Sequence, residues 1–158
     1  MTKCIRDFLR KDLVISNLEA ESSCDIFKKV SELLLEKGFV EESFFKGLVN
    51  REKNFPTGLQ LIKYNVAIPH TDAENIKIPA IVICTLKNPV TFNCMDGSGQ
   101  VKVNIVFTMA LSEPHSQLLM LQQLMELIQN ENILENMMKS DNSDELYEIV
   151  SKFKYSGE

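Results

Sequence analysis

The stretch that most constrains this chain is Val66-Ala67-Ile68-Pro69-His70-Thr71-Asp72. An apolar triplet of this kind seeks burial in a sheet, and the proline that follows has a fixed φ and no N–H. A buried central strand must therefore stop at or before Pro69. His70 then falls just past the strand end, on a loop held by the sheet, where functional side chains concentrate. Thr71 and Asp72 favour tight turns that can aim backbone N–H groups at an anion. The same grammar recurs further on. The apolar run 101–111 is followed by Ser112-Glu113-Pro114-His115, and these two histidines are the only ones in the chain.

The remaining elements arrange themselves around these two breaks. Residues 1–12 mix charged and apolar side chains without a period and are expected to be loosely held, before a short first strand at 13–15. Ser22 and Ser23 can cap a helix beginning near Asp25, whose apolar set Ile26, Phe27, Val30, Leu33 and Leu34 keeps helical spacing. Gly38 supplies its C′ stop. A second helix is expected over 41–51, with two acidic residues at its positive end. Residues 59–68 carry one or two short strands. Residues 80–86 form a continuous apolar run, as in a strand covered on both faces. Pro89 and Asp96-Gly97-Ser98-Gly99 bracket a further short strand at 90–92. The run 101–111 reads as a central strand.

Ser112 can cap the next helix, with Pro114 in its first turn. That helix extends to about residue 129 and is apolar around most of its circumference, so it should be largely buried. Two smaller amphipathic helices follow, at 131–139 and 144–153. Two helices, a group of strands and three more helices imply an α/β domain: a mixed β-sheet flanked by helices on both faces. A single domain is expected over 1–158, with its core at about 12–153.

Composition excludes several functions. The net charge is 17 − 22 = −5 with no basic stripe, which argues against nucleic-acid binding. No apolar window approaches the length of a membrane span, and the first ten residues lack the apolar segment of a signal peptide. The four cysteines form no Cys-x-x-Cys pair, and Cys84 reads as a buried strand thiol. A reducing, cytoplasmic setting is the simplest inference.

The chemistry rests on three separated groups: Arg51 at a helix end, His70 after one strand and His115 after another. Should both strand ends share one sheet edge, the histidines converge where open α/β sheets place their sites. Two imidazoles and a guanidinium suit a phosphoryl group. One histidine attacks phosphorus while cations stabilise charge on the equatorial oxygens. A zinc or iron site of His70, His115 and Asp72 has suitable ligand types, but its third donor is uncertain and Arg51 would oppose a cation. A serine hydrolase would need a Gly-x-Ser-x-Gly elbow, and none occurs. Asp96-Gly97-Ser98-Gly99 lacks the Gly-Lys-Ser/Thr of a phosphate-binding Walker loop and reads as a turn.

The block Asn50-Arg51-Glu52-Lys53-Asn54-Phe55-Pro56-Thr57-Gly58-Leu59, then Val66-Ala67-Ile68-Pro69-His70, resembles enzyme IIA of the bacterial sugar phosphotransferase system, fructose/mannitol family. The apolar strand before His115 and the leucine-rich helix after it are similar too, so the resemblance covers about 12–153. It implies a mixed sheet sandwiched between helices and a stand-alone phosphocarrier. His70 matches the phosphorylated histidine, attacking through Nε2. Arg51 matches the phosphate-stabilising arginine, and His115 the second active-site histidine of the mannitol and fructose members.

The implied donor is phosphorylated HPr. The implied acceptor is a cysteine of a separate IIB protein that feeds a membrane IIC transporter. No metal or other cofactor is implied. The Phe55-Pro56-Thr57-Gly58 loop is more like the galactitol branch, whereas His115 is not what galactitol members commonly carry there. A regulatory module on the same fold, whose phosphorylation state controls partner proteins, is the alternative.

Overall fold

The apolar runs at 80–86 and 101–111 pair with each other, and the rest of the molecule is built outward from that pair. In a computed structural model that describes residues 3–157, the order is β1 (Val14–Leu18), α1 (Ser23–Glu36), α2 (Phe44–Asn54), β2 (Gly58–Leu59) and β3 (Val66–Ala67). Then come β4 (Ala80–Asn93), β5 (Gln100–Ala110), α3 (Pro114–Leu127), α4 (Glu131–Lys139) and α5 (Ser143–Ser151). Residues 1, 2 and 158 of the expected domain lie outside the described residues.

The sheet order is β1-β4-β5-β3-β2. β4 and β5 run antiparallel, β1 lies parallel to β4, and β3 lies parallel to β5. The sheet is therefore mixed, as expected. Side chains alternate across it. Ala80, Val82 and Cys84 pack on Ile26, Phe27, Val30 and Leu34 of α1 and on Phe44 and Leu48 of α2. Ile81, Ile83, Ile105, Phe107 and Met109 pack on Met120, Leu124 and Leu127 of α3 and on Leu146 of α5. Both faces are covered over residues 80–86 and 105–110, so these stretches read as apolar runs, while the start of β5 alternates exposed and buried side chains.

The local signals around α1 act as the sequence implies. The Ser22 hydroxyl accepts from the Asp25 N–H, satisfying one free donor of the first turn. Gly38, at φ 79°, closes the other end. Its N–H bonds Leu35 O and that of Phe39 bonds Leu34 O, a paired C-terminal lock that needs a left-handed residue.

Four expectations need correction. Of the stretch 1–12, the described part is not loose: 3-10 turns at Ile5–Phe8 and Lys11–Leu13 bury Ile5, and its N–H donates to Gln123 Oε1 at 3.1 Å. Helix α2 begins at Phe44, because Val40 bridges Ile76 and the Glu41 N–H bonds Asn75 O, which ties that segment to a neighbouring loop. The strands expected at 80–86 and 90–92 are one strand. Pro89 sits where the register slips between Thr85 and Val90, a bulge that tolerates a missing donor. Lastly, α3 is capped by Glu113 and not Ser112, and it buries only one side, leaving Leu118 and Met125 exposed.

Candidate functional site

β3 and β5 run parallel, so both chain segments leave the sheet at the same end. Pro69 O accepts from the Met109 N–H at 2.9 Å, and His70 bridges Met109, which fixes the histidine beside the end of β5. His115 lies in the first turn of α3, just beyond that same end. The topology thus brings the two Pro-His breaks to one edge.

His70 is half-buried, and its Nδ1 lies 3.1 Å from Ile68 O. A carbonyl oxygen can only accept, so Nδ1 carries the ring proton in this contact and the Nε2 lone pair is left free. Burial holds the imidazole below its ordinary pKa. The Ile68 hydrogen bond opposes that, the Arg51 charge adds to it, and Asp72 works against it. The ring is accordingly neutral at neutral pH, as a nucleophile must be.

Arg51 comes from the last turn of α2. Its Nη1 lies 3.6 Å from Asp72 Oδ1, and its guanidinium stacks over the Phe55 ring at 4.6 Å. Its Nε is buried without a hydrogen-bond partner among the described residues. The fork is held on its face by an aromatic ring and at one prong by a carboxylate, an arrangement suited to oxyanions.

The loop after His70 is anchored on its inner side. Thr71 and Asn75 are 3% and 6% exposed, so their polar atoms must find partners inside. Asn75 Nδ2 donates to Thr71 Oγ1 at 3.1 Å, and Ser43 Oγ donates to Asn75 Oδ1. On the other side of His70, Glu52 accepts from both the N–H and the hydroxyl of Thr57. Sequence reasoning missed these polar anchors. The Pro-Thr loop was visible, but no spacing rule says which threonine turns inward.

Of the expected site residues, His70 and Arg51 are brought close enough for the Arg51 charge to act on the imidazole. His115 shares their edge but is exposed; its backbone N–H donates to Glu113 Oε1 at 3.1 Å. Among the described residues no hydrogen bond joins its ring to His70 or Arg51. Nor do three His, Cys, Asp or Glu side chains converge in a metal-holding group among the described residues. Burial pushes the Cys84 thiol up to about 12, which leaves no thiolate there at neutral pH. No helix among the described residues is long and apolar enough to cross a membrane.

Comparison with known proteins gives this geometry a family. The chain is 30% identical over 125 residues to the PTS system galactitol-specific EIIA component of Escherichia coli (strain K12), covering 79% of this chain and 83% of that one. It is 36% identical over 99 residues to the transcriptional regulator ManR of Bacillus subtilis (strain 168), covering 63% of this chain and 14% of the regulator. Its fold matches that of enzyme IIAMTL in the complex with phosphorylated enzyme IIBMTL from Escherichia coli. That match has a TM-score of 0.74 at 20% identity and covers 92% of this chain and 98% of the other. Residues 7–153 match the family described as "Phosphoenolpyruvate-dependent sugar phosphotransferase system, EIIA 2", and the chain belongs to that family.

Proposed function

We propose that His70 is the residue on which this phosphotransferase component carries its phosphoryl group, with Arg51 and His115 as supporting groups. The observation that carries the reading is the Nδ1–H contact to Ile68 O, which leaves Nε2 as the unprotonated nitrogen. In the first transfer the Nε2 lone pair forms a bond to phosphorus while the electron pair of the donor's bond returns to the donor. In the second, a thiolate of the acceptor takes phosphorus and the pair returns to Nε2. Charge spreads over the three equatorial oxygens in each step, and a preorganised guanidinium stabilises it.

Phosphorylated HPr is the donor in this reading, and a cysteine of a IIB component is the acceptor. The IIB protein in turn serves a IIC transporter in the membrane. The known complex of a like-folded IIA with its phosphorylated IIB supports an acceptor of that kind. The relative specific for galactitol, together with the Phe55-Pro56-Thr57-Gly58 loop, supports a galactitol-like or related polyol system. Phe55 is 60% exposed beside Arg51, where a docking partner would meet it.

The test uses enzyme I, HPr and phosphoenolpyruvate. The protein should become labelled with an acid-labile, base-stable phosphate, and His70→Ala should not. Full labelling of that variant overturns the assignment. Offered IIB proteins from galactitol, mannitol and fructose systems, the labelled protein should prefer the galactitol one. The similarity to part of a transcriptional regulator supports a second reading, a module whose phosphorylation controls partner proteins. Ready labelling of His70 with transfer to none of the IIB proteins favours that reading.

A further inference from the structure

Between Arg51 and His70 lies a polar chain that the phosphate chemistry leaves unused. Glu52, the residue after Arg51, points a largely buried carboxylate at Thr57. Its Oε2 accepts from the Thr57 N–H at 2.7 Å and its Oε1 from the Thr57 hydroxyl at 2.8 Å. Thr57 is 2% exposed. With its proton committed to Glu52, the hydroxyl turns a lone pair towards Ile68, whose N–H lies 3.2 Å from Thr57 Oγ1 and 3.3 Å from Thr57 O. Ile68 in turn offers its carbonyl to His70 Nδ1. A carboxylate only accepts, so every donor in this chain points back towards Glu52.

We propose that Glu52 and Thr57 are positioning residues for the His70 imidazole: they pin Ile68 and thereby hold the proton on Nδ1, leaving Nε2 free for phosphorus. The proposal rests on the reading of His70 as the phosphoryl acceptor. The physical need is plain. A neutral histidine without constraint favours the tautomer with its proton on Nε2, and in that form Nε2 has no lone pair to attack with. The tautomer is set by the partner of the other nitrogen. Here that partner is a backbone carbonyl just past the end of β3, flanked by the β5 contacts of Ala67 and Pro69 but itself turned to the histidine.

Two further constraints act at Ile68. Ile68 precedes a proline and is restricted to extended conformations. Its N–H, on the other side of the same Cα, is held by Thr57. With both set, its carbonyl has one direction left, and it aims at Nδ1. Glu52 orients the hydroxyl that does the holding. Glutamine could not serve as well, because its amide offers one acceptor oxygen where two donors need one each.

The test reads the tautomer directly, by nitrogen-15 NMR of the unphosphorylated protein, and phosphoryl transfer from HPr separately. The wild type should show protonated Nδ1 and unprotonated Nε2. Thr57→Val keeps the volume and removes the hydroxyl. It should shift His70 towards the Nε2-protonated tautomer and slow transfer about tenfold, as loss of a histidine-orienting partner does elsewhere. Thr57→Ser should restore both, and Glu52→Gln should reproduce the valine effect in weaker form. A folded Thr57→Val protein with the wild-type tautomer and transfer rate overturns the proposal, as does a serine variant that rescues neither. If labelling never reaches His70 in the wild type, the carrier assignment fails, while the tautomer measurement still reports on the relay.

Discussion

Gly47 lies in the middle of α2, where alanine would ordinarily be the better residue. Replacing it removes backbone freedom from the unfolded chain and should stabilise the helix by about 0.8–1.0 kcal/mol. The structure reverses that sign. A Cβ built at Gly47 would stand 2.5 Å from Thr71 Oγ1 and 2.7 Å from Asn75 Nδ2. Neither atom is the free end of a flexible side chain: both are buried and hydrogen-bonded to each other. The methyl must push the loop away or break that bond. Overpacking costs about 1–3 kcal/mol and the lost bond about 1 kcal/mol more. Gly47→Ala should therefore destabilise the protein by about 1–3 kcal/mol net.

Urea denaturation measures this, and at this size each kcal/mol lowers Tm by about 2–4 °C. Because Thr71 follows His70 directly, the rate of phosphorylation should fall as well. An alanine variant as stable as the wild type, or more so, would refute the reasoning. It would show that the loop yields at no cost and does not hold the histidine.

Three further outcomes are expected. Arg51→Ala should slow phosphoryl transfer by about 10²–10³, the scale of one preorganised donor, and Arg51→Lys should not recover it because an ammonium lacks the two-pronged fork; stopped-flow or quench labelling reads both. The protonation midpoint of His70, followed by NMR, should lie below the ordinary histidine value, because burial disfavours the cation. The unfolded chain then binds the proton more readily than the native one. The His70 contribution to stability is present above pH about 6.5 and declines as pH falls from there towards the native midpoint, which denaturation at several pH values checks. Thr108→Val should raise stability by about 1 kcal/mol, since the Thr108 hydroxyl is buried in β5 without a partner among the described residues, and a higher urea midpoint would show it.

The parts of the fold that could be read from sequence are those where one residue type has one physical use. Gly38 is left-handed and ends α1, and β3 ends at Ala67, before Pro69 and His70. The apolar runs became the two strands buried on both faces. Where a residue type has two uses, the reading went astray. Pro89 can end a strand or sit in a bulge, and only the partner strand decides which. Glu41 and Glu42 look like the acidic first turn of a helix, yet the backbone at Glu41 is already committed to Asn75. At the site, sequence chemistry singled out His70 and Arg51, because few side chains suit phosphate, and the fold brings the two to one edge. Thr57, Thr71 and Asn75 were not singled out. Their inward turn is set by loops meeting across the sheet edge, and no local pattern records that.

These anchors share a feature that explains why the arginine and the histidine stand in a fixed relation although their strands and helix are far apart in sequence. Ser43, Gly47 and Arg51 are spaced four residues apart, so they form one stripe along α2. Ser43 holds Asn75, Gly47 makes room for the Thr71–Asn75 pair, and Arg51 reaches Asp72. Each therefore meets the loop that leaves His70. One residue off the stripe, Glu52 reaches the approach to His70 through Thr57 and Ile68. One helix thus grips the histidine loop from both sides and carries the guanidinium as well. A shift of α2 along its axis would move the arginine and the two clamps together, so their mutual geometry survives small motions of the helix against the sheet. What such a shift would change is the angle of the imidazole to a docked partner. Transfer should thus be more sensitive to substitutions that break the grip, at Gly47 or Thr57, than to those that merely loosen the packing of α2 on the sheet.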